Sequence, residues 1–208
     1  MTSNATTAEG SIVHVVDDDD AVRDSMALLL ASVGLRCEGY VSAADFFERA
    51  SPETPGCVIL DVRMPVMSGV QMFKAMARRG FRWPVLFMTG HGDVPMAVQM
   101  MREGAFDFLQ KPFHEDELLE RIQQAIAQDH ADRQQQADRA DILARRDSLT
   151  PRERDVLERM IDGQANKAIA IDLEISQRTV EQHRARVMRK IGARTLAQLL
   201  HQMHQLNT

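Results

Sequence analysis

Five side chains in this sequence are of the kinds that handle phosphate, and each stands at the end of an apolar run. Asp17 and Asp18 follow Ile12 to Val16, Asp61 follows Cys57 to Leu60, Thr89 follows Val85 to Met88, and Lys111 comes shortly after Phe106 to Leu109. Carboxylates brought together repel, and a hard divalent cation relieves the repulsion. Mg2+ suits the role because it prefers oxygen ligands and keeps waters and substrate phosphate in its octahedron. Lys111 would neutralise a further phosphoryl oxygen, and Thr89 would offer a hydroxyl donor. A carboxylate nucleophile, a metal, an ammonium and a hydroxyl form a phosphoryl-transfer site that works by positioning and charge neutralisation. Each residue also has a plainer explanation. Asp17 to Asp20 would serve equally to cap a helix, and Lys111-Pro112 alone marks a turn. The joint occurrence at four strand ends favours the chemical reading.

An open parallel sheet brings such ends together. The apolar runs are short and unbroken, as in strands buried on both faces, and Arg36 to Tyr40 supplies one more. Between them lie helical stripes: Val22, Met26, Leu29, Leu30 and Val33 before Gly34, then Val70, Phe73 and Ala77 before Gly80. Five strand–helix units predict an α/β fold, a doubly wound five-stranded parallel sheet with its ligand site at the carboxyl ends of the strands. From His114 a helical pattern runs through Leu118, Leu119, Ile122 and Ile126 into the polar stretch QDHADRQQQADRADILARRD. No Gly or Pro interrupts it, which favours one long helix; its thinning apolar content suits a flexible linker about as well. Thr150, Pro151 and Glu153 then announce a new helix.

The whole chain has a net charge of -5, yet from Ser148 onward ten Lys and Arg face seven Asp and Glu. Within Arg178 to Arg194 six basic residues face only Glu181, an excess that suits a polyanion or, more plainly, a solvated helix face. Hydrophobic residues at 44% and charged residues at 26% describe a globular protein. No run is long and apolar enough for a membrane span, and MTSNATTAEG lacks a signal-peptide pattern, so no membrane partner and a cytoplasmic location are expected. Cys37 and Cys57 read as small buried hydrophobes.

VVDDDD, LDVRMP, MTGHGD and QKPF resemble, in order and spacing, the receiver domains of two-component response regulators over about residues 12 to 128. The resemblance implies a flavodoxin-like sheet of order 2-1-3-4-5. It implies Mg2+ on Asp17, Asp18, Asp61 and the carbonyl of Arg63, and phosphate accepted by Asp61 from a cognate histidine kinase. Thr89 and Lys111 would hold the phosphoryl group, and the Lys111-Pro112 bond would be cis. Phe108 matches the aromatic switch position, where many receivers carry Tyr. Arg63 and His91 match positions that tune phosphate lifetime.

LTPRERDVLERMIDG and NKAIAIDLEISQRTVEQHRARVMRKIG resemble the LuxR-type helix-turn-helix, and the two halves together resemble the FixJ/NarL-like regulators. A bend at Glu174-Ile175 with Ser176 as cap sets off a helix from Gln177 to Ile191 that would enter the major groove. Val180, Val187 and Ile191 share its packing face, which Arg184 borders, and Arg178, Gln182, Ala185, Arg186 and Arg189 fall opposite. Gln182 suits adenine, the arginines suit guanine or phosphate, and Ala185 permits close approach. Lys167 and Lys190 are expected on phosphate. Glu181 either accepts from cytosine or stays solvated.

The expected organisation is a disordered tail over 1–11, a receiver over 12–128, a helical linker over 129–147 and an all-α helix-turn-helix domain over 148–208. Expected partners are the kinase, double-stranded promoter DNA, RNA polymerase and, on phosphorylation, a second copy of the chain. The enzyme alternative, a phosphoaspartate hydrolase, calls for a second acid two residues after Asp61, where Arg63 stands. A protein-binding role for the rear helices is the other alternative.

Overall fold

A computed structural model describes residues 10–90 and 94–207. The chain divides into two compact units between Arg133 and Gln134. In the first, β1 (Ile12–Val16), β2 (Arg36–Tyr40), β3 (Gly56–Asp61), β4 (Val85–Thr89) and β5 (Asp107–Gln110) pair in parallel in the order β2-β1-β3-β4-β5. The intervening helices are α1 (Asp20–Ser32), α2 (Ala43–Arg49), α3 (Gly69–Arg78) and α4 (Val94–Arg102), and α5 (Glu115–Asp147) follows β5. The sheet class and strand order are those expected from the sequence.

Side chains alternate across the buried strands and so feed two cores. Val16, Tyr40, Val58, Leu60 and Phe87 pack with Phe46, Met72, Met76 and Met100 of α2, α3 and α4. Val13, Val15, Ile59, Leu86 and Leu109 pack with Met26 and Leu30 of α1 and with Leu118, Ile122 and Ile126 of α5. β1, β3 and β4 are buried throughout, which explains their unbroken apolar sequences. Cys57 lies in the second core and Cys37 at its margin, both unbridged. His14 is the polar intruder in β1: its ring stacks on Trp83 and its Nδ1 lies 2.9 Å from the Tyr40 hydroxyl. Burial pushes its pKa down to about 4, so the ring is neutral at pH 7.

The lower edge of this unit is tied to α5. Asp129, buried within the helix, accepts from the Gly56 amide at 2.9 Å and from Arg133 Nε at 2.8 Å. The Arg133 guanidinium also donates to the carbonyls of Pro52, Glu53 and Thr54, and His130 pairs with buried Ser11. One ion pair therefore holds the start of β3 and the turn before it.

The second unit contains α6 (Pro151–Ile161), α7 (Asn166–Asp172), α8 (Gln177–Ile191) and α9 (Leu196–Asn207), and the distal part of α5. Its core joins Ile142 and Leu149 to Val156, Leu157, Ile169, Val180, Val187, Ile191, Leu199 and Met203. A capping box between Thr150 and Glu153 opens α6, and Ser176 caps α8. Among the described residues no helix is long and apolar enough to cross a membrane. The expected disordered tail falls mostly outside the described residues.

Replacing Asp129 by Ala strands the Gly56 amide and takes the charge partner from Arg133, which keeps its three loop carbonyls. Because Arg133 is partly exposed and keeps other partners, the expected loss falls below that of a fully buried pair, at about 2 kcal/mol. Urea unfolding followed at Trp83, the single tryptophan, checks this. In the β3–α3 loop the fully exposed Val66 adopts φ +66, a conformation that a β-branched side chain resists. Val66→Asn should therefore raise the same unfolding midpoint, by about 1 kcal/mol of stability.

Candidate functional site

Asp17 is the first residue after β1, Asp61 the last of β3, Thr89 the last of β4, and Lys111 the first after β5. Parallel pairing puts all four at one edge of the sheet. Lys111 Nζ stands 3.0 Å from Asp17 Oδ2 and 2.8 Å from Asp61 Oδ1, so one ammonium bridges the two carboxylates. Asp17 is 2% exposed and Asp61 9%, while Lys111 reaches them from a half-buried position. Burial opposes the charge on Lys111, but hydrogen bonds to Asp61 and Asp17, together with their charges, outweigh it and hold its pKa above the ordinary value.

Backbone groups fix the remaining oxygens. The amide of Arg63 donates to Asp61 Oδ2 at 2.7 Å, and the amide of Asp19 donates to Asp17 Oδ1 at 2.9 Å. Asp19 caps α1 by accepting from Ala21, so the acidic run serves both the cap and the pocket. The Lys111 amide donates to the Thr89 carbonyl at 2.6 Å, which ties β5 to β4 at this edge, and the Lys111-Pro112 peptide is cis. Thr89 is buried, and Phe108 lies 6.5 Å from Phe87, centroid to centroid. Asp18 and Arg63 are exposed and line, with Met64, Val70 and Met96, a cavity of about 550 Å³ beside the carboxylates. His91 lies outside the described residues.

The donor set is all oxygen, and Lys111 neutralises only one of its two buried negative charges. Among the described residues no group of three or more His, Cys, Asp or Glu forms a metal cage. Two carboxylates with a cavity beside them instead suit a cation that completes its shell with waters and phosphate oxygens.

In the second unit, Val180, Val187 and Ile191 of α8 are fully buried. Arg178, Glu181, Gln182, Ala185, Arg186 and Arg189 are exposed, as is Lys167 on α7. Arg184 is half-buried. Lys190, expected on phosphate, is half-buried and has partners within the protein. Its Nζ lies 2.7 Å from Glu153 Oε2 and 3.2 Å from the Ser148 carbonyl, so its donors are engaged at the start of α6. The sequence placed Lys190 on a helix but gave no sign of this tertiary partner.

The response regulator receiver domain family matches residues 13–123, and the luxR family of bacterial regulatory proteins matches residues 147–203. The chain belongs to the response regulators. Transcriptional regulatory protein FixJ of Azorhizobium caulinodans is 46% identical to this regulator over 188 residues, covering 90% of this chain and 89% of that one. TdiR of Thauera aromatica is 41% identical over 198 residues, covering 94% and 86%. Among solved structures, response regulator StyR matches with a TM-score of 0.83 at 40% identity, over 94% of the regulator and 99% of StyR. Full-length FixJ from B. japonicum matches with a TM-score of 0.57 at 42% identity, over 95% and 97%.

Two supports of the regulator's acid pocket escaped the sequence reading. A Cβ on Gly69 would stand 2.2 Å from the Asp61 carbonyl, so the loop after β3 closes over Asp61 only because that residue is glycine. The stripe Val70, Phe73 and Ala77 marked the helix but not this approach. Arg23 donates to the Asp17 carbonyl at 2.6 Å and pairs with Asp20, steadying the loop after β1.

Hydrogen bonds from Lys190 and from the Thr150 backbone hold the Glu153 carboxyl at about 2, below its ordinary 4.5. A depressed carboxyl stabilises the fold above its unfolded pKa and loses that contribution as pH falls through the folded one. The α6 cap should accordingly weaken between about pH 4.5 and 2, and Glu153→Gln should remove that dependence. NMR titration of the Glu153 carboxyl checks the pairing; a midpoint at the ordinary glutamate value contradicts it.

Proposed function

We propose that this regulator controls transcription by accepting a phosphoryl group on Asp61 from the phosphohistidine of a cognate kinase. The observation that carries this is the Asp17–Lys111–Asp61 bridge at the carboxyl edge of the sheet, in a chain that also has the basic helix α8. A carboxylate oxygen of Asp61 attacks phosphorus, the phosphorus–nitrogen bond breaks, and the released imidazole nitrogen takes up a proton. Lys111 turns from bridging carboxylates to holding a phosphoryl oxygen, and Thr89 donates to another. Asp17 and Asp61, with Asp18 and the Arg63 carbonyl at the cavity edge, would hold Mg2+, which supplies neutralisation of the phosphoryl charge. Arg63, and His91 by resemblance, tune how long the phosphate lasts. The regulator acts as a phosphoacceptor rather than as a turnover enzyme.

Inward movement of Thr89 makes room into which Phe108 repacks, and the reshaped surface pairs two copies in the cytoplasm. Paired DNA-binding units then engage two promoter half-sites, gaining effective concentration. Gln182, Ala185, Arg178, Arg186 and Arg189 meet bases or phosphates, Lys167 meets phosphate, and Glu181 borders the contact. RNA polymerase is the downstream partner. The FixJ relatives, named as transcriptional regulators, support this reading.

With acetyl phosphate and Mg2+, the full chain should take up label on Asp61, and Asp61→Asn should take up none. Phosphodonor should tighten salt-sensitive binding to duplex DNA in the wild type alone. Arg186→Ala should lower the slope of log affinity against log salt by about one. A folded chain that takes up no label would end the proposal, and duplex binding indifferent to phosphodonor would remove the coupling.

A further inference from the structure

In the distal third of α5, two arginines each reach the carboxyl end of a different helix of the second unit. Arg139 donates to the Leu206 carbonyl of α9 at 2.9 Å, and Arg145 donates to the Ile191 carbonyl, the last of α8, at 3.2 Å. Carbonyls of a final turn lack helical partners and form the negative end of the helix dipole. A guanidinium there is favourable both as donor and as charge.

The end of α8 is built around this contact. Asp141 steadies Arg145 from the preceding turn, its oxygens 3.2 Å from Nε and 2.6 Å from the far amine. Gly192 leaves α8 in a left-handed turn at φ +80, and a Cβ on it would stand 2.5 Å from the Arg145 guanidinium. On the same turn, Lys190 is drawn to Glu153 and Ser148 at the start of α6. Ile142, close to Arg145 in α5, is buried in the core that contains Val180, Val187 and Ile191. The last turn of α8 is thus gripped from both α5 and α6, while the exposed side chains of α8 project away from that core.

We infer that Arg145, held by Asp141, is a positioning residue for the DNA-reading helix, and that the distal part of α5 is a working part of the DNA-binding unit rather than a passive tether. The inference rests on the DNA-binding reading above and gives Arg145 no contact with DNA. It acts by fixing the end of α8, and so the direction in which Gln182, Arg186 and Arg189 are presented.

The test uses the full chain and two readouts, amide exchange of the α8 turn Met188 to Gly192 and duplex affinity across a salt series. Arg145→Ala should speed exchange in that turn. It should also weaken duplex binding roughly threefold to tenfold, the scale of one cation at a helix end. The salt slope should stay at the wild-type value, because no phosphate contact is lost. Arg145→Lys keeps the cation and should restore most of both effects. Arg139→Ala, which frees only the end of α9, should leave both readouts at wild-type values.

Wild-type exchange in Arg145→Ala overturns the proposal. So does an affinity loss accompanied by a lower salt slope, which would make Arg145 a direct phosphate ligand. A wild-type chain that binds no duplex at low salt overturns the DNA reading and this role with it. That result is told apart from the others because exchange of the α8 turn is measured without DNA.

Discussion

The first unit is organised around an ammonium shared by two carboxylates that have nearly left the solvent. Burying charge is unfavourable unless partners and hydrogen bonds compensate it. Here Lys111 and the amides of Asp19 and Arg63 provide that compensation. The three charged residues come from the ends of β1, β3 and β5, so they meet only in a sheet whose strands all point one way with β1 beside β3. Within this bridge one positive charge stands against two negative ones.

The second unit repeats the device for a mechanical purpose. Glu153 is almost fully buried, closes the cap of α6 and accepts the Lys190 ammonium. A single carboxylate therefore joins the start of one helix to the end of another. Along α8, the buried Val180, Val187 and Ile191 fix rotation about the helix axis, and polar contacts at its carboxyl end oppose fraying.

Much of this arrangement was legible in the sequence because it rests on local signals. Period and punctuation located the strands, and α8, capped by Ser176, runs from Gln177 to Ile191 as expected. Asp61, Asp17 and Lys111 could be assembled because strand ends in a doubly wound sheet have a known destination. The polar middle of α5 was ambiguous by composition. It is helical over its whole length, buried near Ile126 and Ile142, with Gln128–Asp132 and Gln134–Asp138 pairs one turn apart between them. Tertiary partners left no such trace. Nothing local showed that Lys190 would be engaged, that Gly69 must clear the Asp61 carbonyl, or that His14 would sit neutral against Trp83.

The tie between α5 and the turn before β3 bears on how the molecule can be dissected. Composition draws the edge of the first unit near residue 128, where the apolar periodicity fades. A fragment cut there would lack Asp129, His130 and Arg133, leaving the Gly56 amide and the Pro52 and Glu53 carbonyls without their side-chain partners and the Thr54 carbonyl with Trp83 alone. An excised receiver fragment made for isolated study should extend through Arg133, since the shorter version would measure its own damaged lower edge.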